Sequence, residues 1–352
     1  MPRFVPVFLM AAVAAMWLGV AFASAERDAA LRGAEYLRGA QESDGGFGGF
    51  GPGQTFDTVF AFRSVGIDPA TVTTDGNSPA DFLRANLEEV TESAGLAAKA
   101  ALAAVAMGLD PRDVDGVDLI GAIVGFHDED SGAFADDAFS HGLAVLGLAC
   151  TGNDAPNGAL EYLREAQLDD GGWGFEEDGD PDTTAIALQA YIAGGGSAAD
   201  ETGSAALAFF AETQASDGGW GFEPDESNAN STAYVIQALM AAGEDQAGYA
   251  INGATPMEAL LALQQEDGSF AGFDPVFATA QTVPALAGRT FCDAPMTELD
   301  ASSMEDAPAE PEPAAVGTGL ADRGQPLPFA GLGAALMVAG AAMFVASRRF
   351  AR

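Results

Sequence analysis

Lysine is almost missing from this sequence of 352 residues: Lys99 stands alone, and 14 basic residues face 52 acidic ones, a formal net charge of −38. A chain this acidic is repelled by a phosphate backbone, so nucleic acid is excluded as a partner. The excess reads as a solubilising surface, of the kind a salt-rich habitat also favours. Histidine occurs only twice and cysteine only twice, and no zinc-ligand spacing is present. Alternating apolar and polar residues that would signal strands are absent. So are a Ser/His/Asp order, a phosphate-cradling glycine loop and a nucleotide fingerprint. No cofactor is expected.

What is there begins at the two ends. Arg3, an apolar stretch from Phe4 to Phe22 and the small residues Ala23-Ser24-Ala25 form the pattern of a signal peptide over residues 1–25, so the mature chain is expected to start at Glu26. A second apolar run, Phe329 to Ala346, is followed by Arg348, Arg349 and Arg352, and it is just long enough to cross a bilayer core with its positive side inside. Residues 327–352 are therefore expected to anchor the chain to a membrane. Leu327-Pro328-Phe329-Ala330-Gly331 also resembles the sorting signal of sortase substrates, with Ala330 where that family has Thr. Either way residues 26–325 are expected outside the cytoplasm. Residues 294–326, rich in Pro, Ala and Glu, read as a disordered stalk.

Between these ends a motif recurs. YLRGAQESDGGFGGF from Tyr36, YLREAQLDDGGWGFE from Tyr162, FFAETQASDGGWGFE from Phe209 and LLALQQEDGSFAGF from Leu260 align, and their turn aspartates are Asp44, Asp170, Asp217 and Asp267. The period is about 40–50 residues, and the long first gap has room for two worn copies, one from Asp81 to Gly108 and one from Asp118 to Gly152. Six units result, each a first helix, a Gly-rich turn and a second helix. The second helices are almost purely Ala, Leu, Ile and Val, while the first carry Glu and Arg, so the second are expected to form an inner ring. Asp57-Thr58, Asp182-Thr183 and Asn230-Ser231 are taken as N-caps of those inner helices. Residues 26–293 are thus predicted to be all-α, an α6/α6 toroid of six helix hairpins.

These residues carry a resemblance. The Gln-x-x-Asp-Gly-Gly-Trp-Gly segments at Gln167 and Gln214 resemble the repeats of squalene and hopene cyclases, and Gln41 to Gln54 is similar to the turns of protein prenyltransferase β subunits. The last unit, ATAQTVPALAGRTFCD from Ala278, resembles the closing repeat of the cobalamin carriers intrinsic factor and transcobalamin. The resemblance implies the toroid of the terpenoid cyclase and prenyltransferase superfamily. It also implies candidate chemistry. Asp180-Pro181-Asp182-Thr183-Thr184-Ala185 looks like the motif whose central aspartic acid protonates the substrate of class II terpene cyclases; Asp182 falls on that position and Thr183 replaces the next Asp. Those cyclases use two toroid-like domains, and this chain has one. Prenyltransferase zinc is held by Asp, Cys and His, for which His127, Asp136, Asp137 and His141 are the candidates.

Each candidate has a plainer reading. The position equivalent to Asp182 in the next unit is Asn230, which caps a helix but supplies no acidic proton, so Asp182 is read as a cap. His141 is expected to be satisfied by a local carboxylate such as Asp137. Asp178, Asp180 and Asp182 alternate as oxygen ligands of a calcium loop do, yet no closing Glu follows, and a solvated acidic loop is the reading preferred. The turn aromatics Phe47, Trp173, Phe175, Trp220, Phe222, Phe270 and Phe273 are expected to staple adjacent hairpins rather than line a ligand box. Cys150 and Cys292 are expected at the same end of the toroid; since units three and six lie opposite, a disulfide requires a segment folding back across the face. The function expected is a surface-anchored, non-catalytic binding module for a small amphipathic ligand or a partner protein. The alternatives are an extracytoplasmic cyclase or prenyltransferase, a cobalamin-binding surface protein and a purely structural domain.

Overall fold

The structure is a computed structural model, and it describes residues 25–297 except 176, 224 and 273. The signal peptide, most of the stalk, the anchor and Phe273 lie outside the described residues. Twelve helices pair into six hairpins. The first helices are α1 (residues 25–39), α3 (Pro79–Ala85), α6 (Leu119–Gly125), α8 (Ala159–Glu165), α10 (Glu201–Thr213) and α12 (Pro256–Ala262). The second helices are α2 (Pro52–Ser64), α5 (Ala94–Ala106), α7 (Ala138–Cys150), α9 (Pro181–Ala193), α11 (Ala229–Ala242) and α13 (Pro275–Leu286), with the short α4 (Leu87–Val90) and α14 (Asp293–Met296) besides. Each second helix packs on the next, and α13 returns to α2, so the inner layer closes into a ring. Among the described residues β-structure is confined to isolated bridges.

Composition explains the layering. Nearly every residue of α5, AGLAAKAALAAVA, is buried, because an inner helix touches neighbours on all sides and needs small side chains to do so. Gly147 shows how close these helices run: a Cβ there would sit 2.5 Å from the Ala98 methyl on α5. Outer α10, in contrast, buries a single face that includes Ala206, Phe209 and Phe210.

The turns staple the ring through glutamine. Gln167 Nε2 donates to Gly171 O in its own turn and to Thr202 O at the start of the next outer helix, at 2.8 and 2.9 Å. Gln41 and Gln214 do the same toward Val72 O and Tyr249 O. Gln264 closes the circle, reaching Ala29 O at 2.9 Å. Gln264→Ala is expected to cost about 1–3 kcal/mol by leaving these carbonyls unpaired, measured as a shift of the urea midpoint.

Buried rings fill the space behind each staple. Trp173 and Trp220 are fully buried, and their indole N–H groups donate to Leu163 O and Phe210 O at 2.8 and 2.9 Å. Phe47 and Phe270 are buried at the matching turns. Phe175 and Phe222 differ from expectation. They are 45% and 46% exposed, because they lie two residues past the buried ring, where the loop has already turned outward.

The expected caps are corrected. The N-caps of α9 and α11 are Asp180 and Asn228, whose side chains accept from Thr183 N and Ser231 N, while Asp182 and Asn230 sit one residue inside their helices. Asp57 lies deep in α2, which starts after Gly51. In α2 and α9 the reason is proline: Pro52 and Pro181 occupy the first helical turn, where their fixed φ starts the helix earlier than the Thr residues suggested. The hydroxyls of Thr184, Thr232 and Thr279 instead accept the backbone N–H of the turn residues Trp173, Trp220 and Phe270, each at 2.9 Å. In the first unit that post belongs to Thr55, not Thr58.

The chain after α13 folds back over the ring. Cys292 is bridged to Cys150 at the end of α7, with Cα atoms 5.1 Å apart. This segment lays α14 against α2 and α5 and buries Phe291, whose N–H donates to Gln189 Oε1 at 3.0 Å.

Candidate functional site

The residues singled out by sequence separate into three places. Asp180 is a cap, accepting from Thr183 N at 2.8 Å. Burial pushes its carboxyl above the usual range, against the pull of its bonds to Thr183. Because Asn and Asp cap almost equally well, Asp180→Asn is expected to be near neutral and Asp180→Ala to cost about 1 kcal/mol in thermal unfolding.

Asp182 turns the other way, into the ring. Part of the residue stays exposed, but Oδ1 is sealed from solvent with no hydrogen-bond partner. Burial, then repulsion from Asp180, pushes this carboxyl up to about 7, opposed by a hydrogen bond with Ser231. A carboxyl held there exchanges its proton near neutrality, as a general acid must. Asp178, Asp180 and Asp182 are not gathered to hold a cation: among the described residues no group of three such ligands converges. The helix begins between them, so it sends Asp180 to its cap and Asp182 inward.

Both histidines sit at the turn of the third unit. His141 takes the post that threonine holds in other units: Nδ1 accepts from Phe134 N at 3.1 Å, and Nε2 lies 3.0 Å from Ala159 O. That arrangement suits the neutral ring with its proton on Nε2, and burial pushes its pKa down to about 4. Its partners are therefore two backbone groups rather than Asp137, which caps α7 through Ser140 N. His127 stands where other turns have Gln, its ring against Phe134 at 5.2 Å and its Nε2 buried without a partner. The Asp136 carbonyl accepts from the Tyr162 hydroxyl. These four residues do not form a shared ligand set.

The interior of the ring holds a polar cluster that the sequence did not disclose. Lys99 Nζ lies 2.7 and 2.8 Å from the two carboxylate oxygens of Asp57, both residues at most 3% exposed. Gln281 Nε2 donates to Asp57 Oδ2 at 3.2 Å and to the Tyr234 hydroxyl at 2.7 Å, while its Oε1 accepts from Asn230 Nδ2 at 2.7 Å. Burial raises the Tyr234 phenol well above its usual range, and the charges of Asp57 and Asp182 add to the effect. The signal for this cluster was present in outline: one lysine in an alanine helix, and glutamines in the middle of apolar inner helices.

The cavity bounded by Asp57, Phe60, Tyr234, Gln281 and Phe291 has a volume of about 10 Å³, room for one water molecule. Outside the ring a shallow depression is lined by Arg32, Glu35, Tyr36, Glu266 and Asp267. Among the described residues no helix is long and apolar enough to cross a membrane.

No family model matches the sequence, and no curated protein does. Solved structures do. The type II terpene cyclase MstE from Scytonema, without ligand, is 16% identical at a TM-score of 0.57, covering 76% of this chain and 98% of its own. A variant of MstE in complex with its substrate, geranylgeranyl dihydroxybenzoate, is 15% identical at a TM-score of 0.58, covering 79% and 99%. A protein from Actinoplanes is 15% identical at a TM-score of 0.56, covering 75% and 99%. At these identities what is shared is the fold, a closed ring of paired helices.

Proposed function

We propose that this toroid is an exported, non-catalytic recognition module, displayed on a stalk and anchored by residues 327–352, which binds a partner through its outer surface. The observation that supports this is the filled ring. A polyprene cyclase needs an apolar cavity of roughly 300–1,000 Å³, whereas the cavity beside Asp57 and Tyr234 offers about 10 Å³ and is bordered by an ion pair and an amide. The small amphipathic ligand considered from sequence is larger than the cavity beside Asp57 and Tyr234, which favours a partner protein. The cobalamin reading gains no support from this interior either. Its test is turnover: the purified full chain, given squalene or a geranylgeranylated aromatic acid, is expected to yield no cyclised product. Protease accessibility on intact cells would test display, with shedding of residues 26–325 expected.

A second reading rests on Asp182. A sealed carboxyl raised to about 7 at the motif position of a proton donor, in a fold shared with type II terpene cyclases, suits an acid that protonates a polyprene. This reading requires no second toroid, since the match spans 98% of a cyclase of that type. In that reading the Phe291 segment must withdraw to admit substrate. A product formed by the chain, lost in Asp182→Asn, would decide for this second reading and against the first.

A further inference from the structure

We propose that Lys99 and Asp57 condense into an intramolecular isopeptide bond, joining α5 to α2 covalently inside the ring. Lys99 is the sole lysine of the chain, and it is spent on a buried contact rather than on the surface, where lysine ordinarily serves. Its Nζ sits within 2.8 Å of both Asp57 oxygens. Contact with both oxygens keeps the amine beside Cγ, so the two reacting groups are already brought together.

The step balances without a co-reactant. A proton passes from the ammonium to the carboxylate, leaving a neutral amine beside a carboxylic acid. The nitrogen lone pair attacks Cγ, the new C–N bond forms, a Cγ–O bond breaks, and one oxygen leaves with two protons as water. In bulk water this condensation is uphill. Here the two groups are held together at an effective concentration far above any bulk value, and water is kept from the product amide. The surroundings contain groups that can assist. Gln281 Nε2 binds Asp57 Oδ2 and polarises its carbonyl, and the Tyr234 hydroxyl beside Gln281 stands under the influence of both Asp57 and a second buried carboxyl, Asp182.

Position in the ring gives the bond a purpose. The second unit lacks the glutamine turn that staples its neighbours, running from α3 through α4 into a Ser93 cap of α5. The third has His127 in place of that glutamine, with its Nε2 unpartnered. The same arc is tied by the Cys150–Cys292 bridge and by α14 against α2 and α5. A covalent link from Asp57 to Lys99 would tie the second unit, whose own turn sends no glutamine staple forward, back to the first.

The test is the intact mass of the purified full chain after reduction of the disulfide and denaturation. The expected mass is one water below that of the sequence, and trypsin should release a branched peptide joining residues 39–63 to residues 85–112. Lys99→Arg keeps a cation beside Asp57 but cannot condense, and should restore the full mass while circular dichroism shows the helical fold retained. Asp57→Asn offers an independent check, since loss of ammonia from the amide gives the same final bond and the same final mass as the parent. A parent chain at its full sequence mass, cut normally after Lys99, overturns the proposal. So does a water deficit that persists in Lys99→Arg.

Discussion

Reducing the Cys150–Cys292 bridge is expected to lower the free energy of unfolding by about 4–5 kcal/mol in the chain-entropy account, and by no less than about 2 kcal/mol as such bridges ordinarily behave. The bridge spans 142 residues of sequence, so it removes a long loop's worth of freedom from the unfolded chain. Its native role is to hold the returning segment over the ring. That segment is short and brings few anchors of its own: the buried Phe291 ring, edge-on to Phe60 at 5.7 Å, its N–H on Gln189, and buried Ala294. Without the bridge it should detach first, exposing Phe60 and the cavity floor. Urea unfolding with and without reductant measures the loss, and Cys292→Ser, compared with the reduced parent, separates loss of the bridge from side effects of the reductant. An unchanged midpoint in both would mean that packing alone holds the segment. Should the protein prove to be a cyclase, activity would rise on reduction, because the same detachment opens the ring.

How much of this was legible in sequence depends on the kind of residue. The six-unit period and the division into inner and outer helices could be read, since an alanine-rich helix such as α5 has no polar face to offer water, and the glutamine-to-ring spacing repeats. The starts of α9 and α11 were misread by two residues and that of α2 by more, because Asp182-Thr183 and Asn230-Ser231 looked like caps when the true caps are Asp180 and Asn228. That small shift changed the meaning of Asp182 altogether, from a solvated cap to a sealed carboxyl. The Lys99, Asp57, Tyr234 and Gln281 cluster could not be assembled, since its members lie on four helices of different units and only ring closure brings α13 beside α2. His141 illustrates a subtler loss. A histidine in a threonine's post keeps the hydrogen bond while abandoning the pattern that would have revealed it.

Asp182→Asn is expected to make the protein more stable above neutral pH, by up to about 4 kcal/mol, and to change little near pH 4. The sign follows from proton counts. The folded carboxyl titrates at about 7 and the ordinary one at 3.8. Below 3.8 both states carry the proton, so the site favours neither. As pH rises past that value the unfolded chain ionises first and binds fewer protons than the folded one, and stability falls by up to about 1.4 kcal/mol per pH unit until the folded carboxyl ionises too. Asparagine has nothing to ionise and can still bond Ser231. His141 complicates the parent's profile in the opposite sense: titrating at about 4 when folded against an ordinary 6.5, it adds stability as pH rises between those values. The two slopes partly cancel in the parent below about pH 6.5, so the parent's profile alone cannot isolate Asp182. The difference between parent and Asp182→Asn can, because His141, Asp180, Tyr234 and the Lys99–Asp57 pair are common to both. Urea midpoints at pH 4, 6 and 8 should give a difference that widens with pH. Parallel curves would mean that Asp182 ionises freely, and a freely ionised carboxyl is neither a buried strain on this fold nor an acid able to protonate a polyprene.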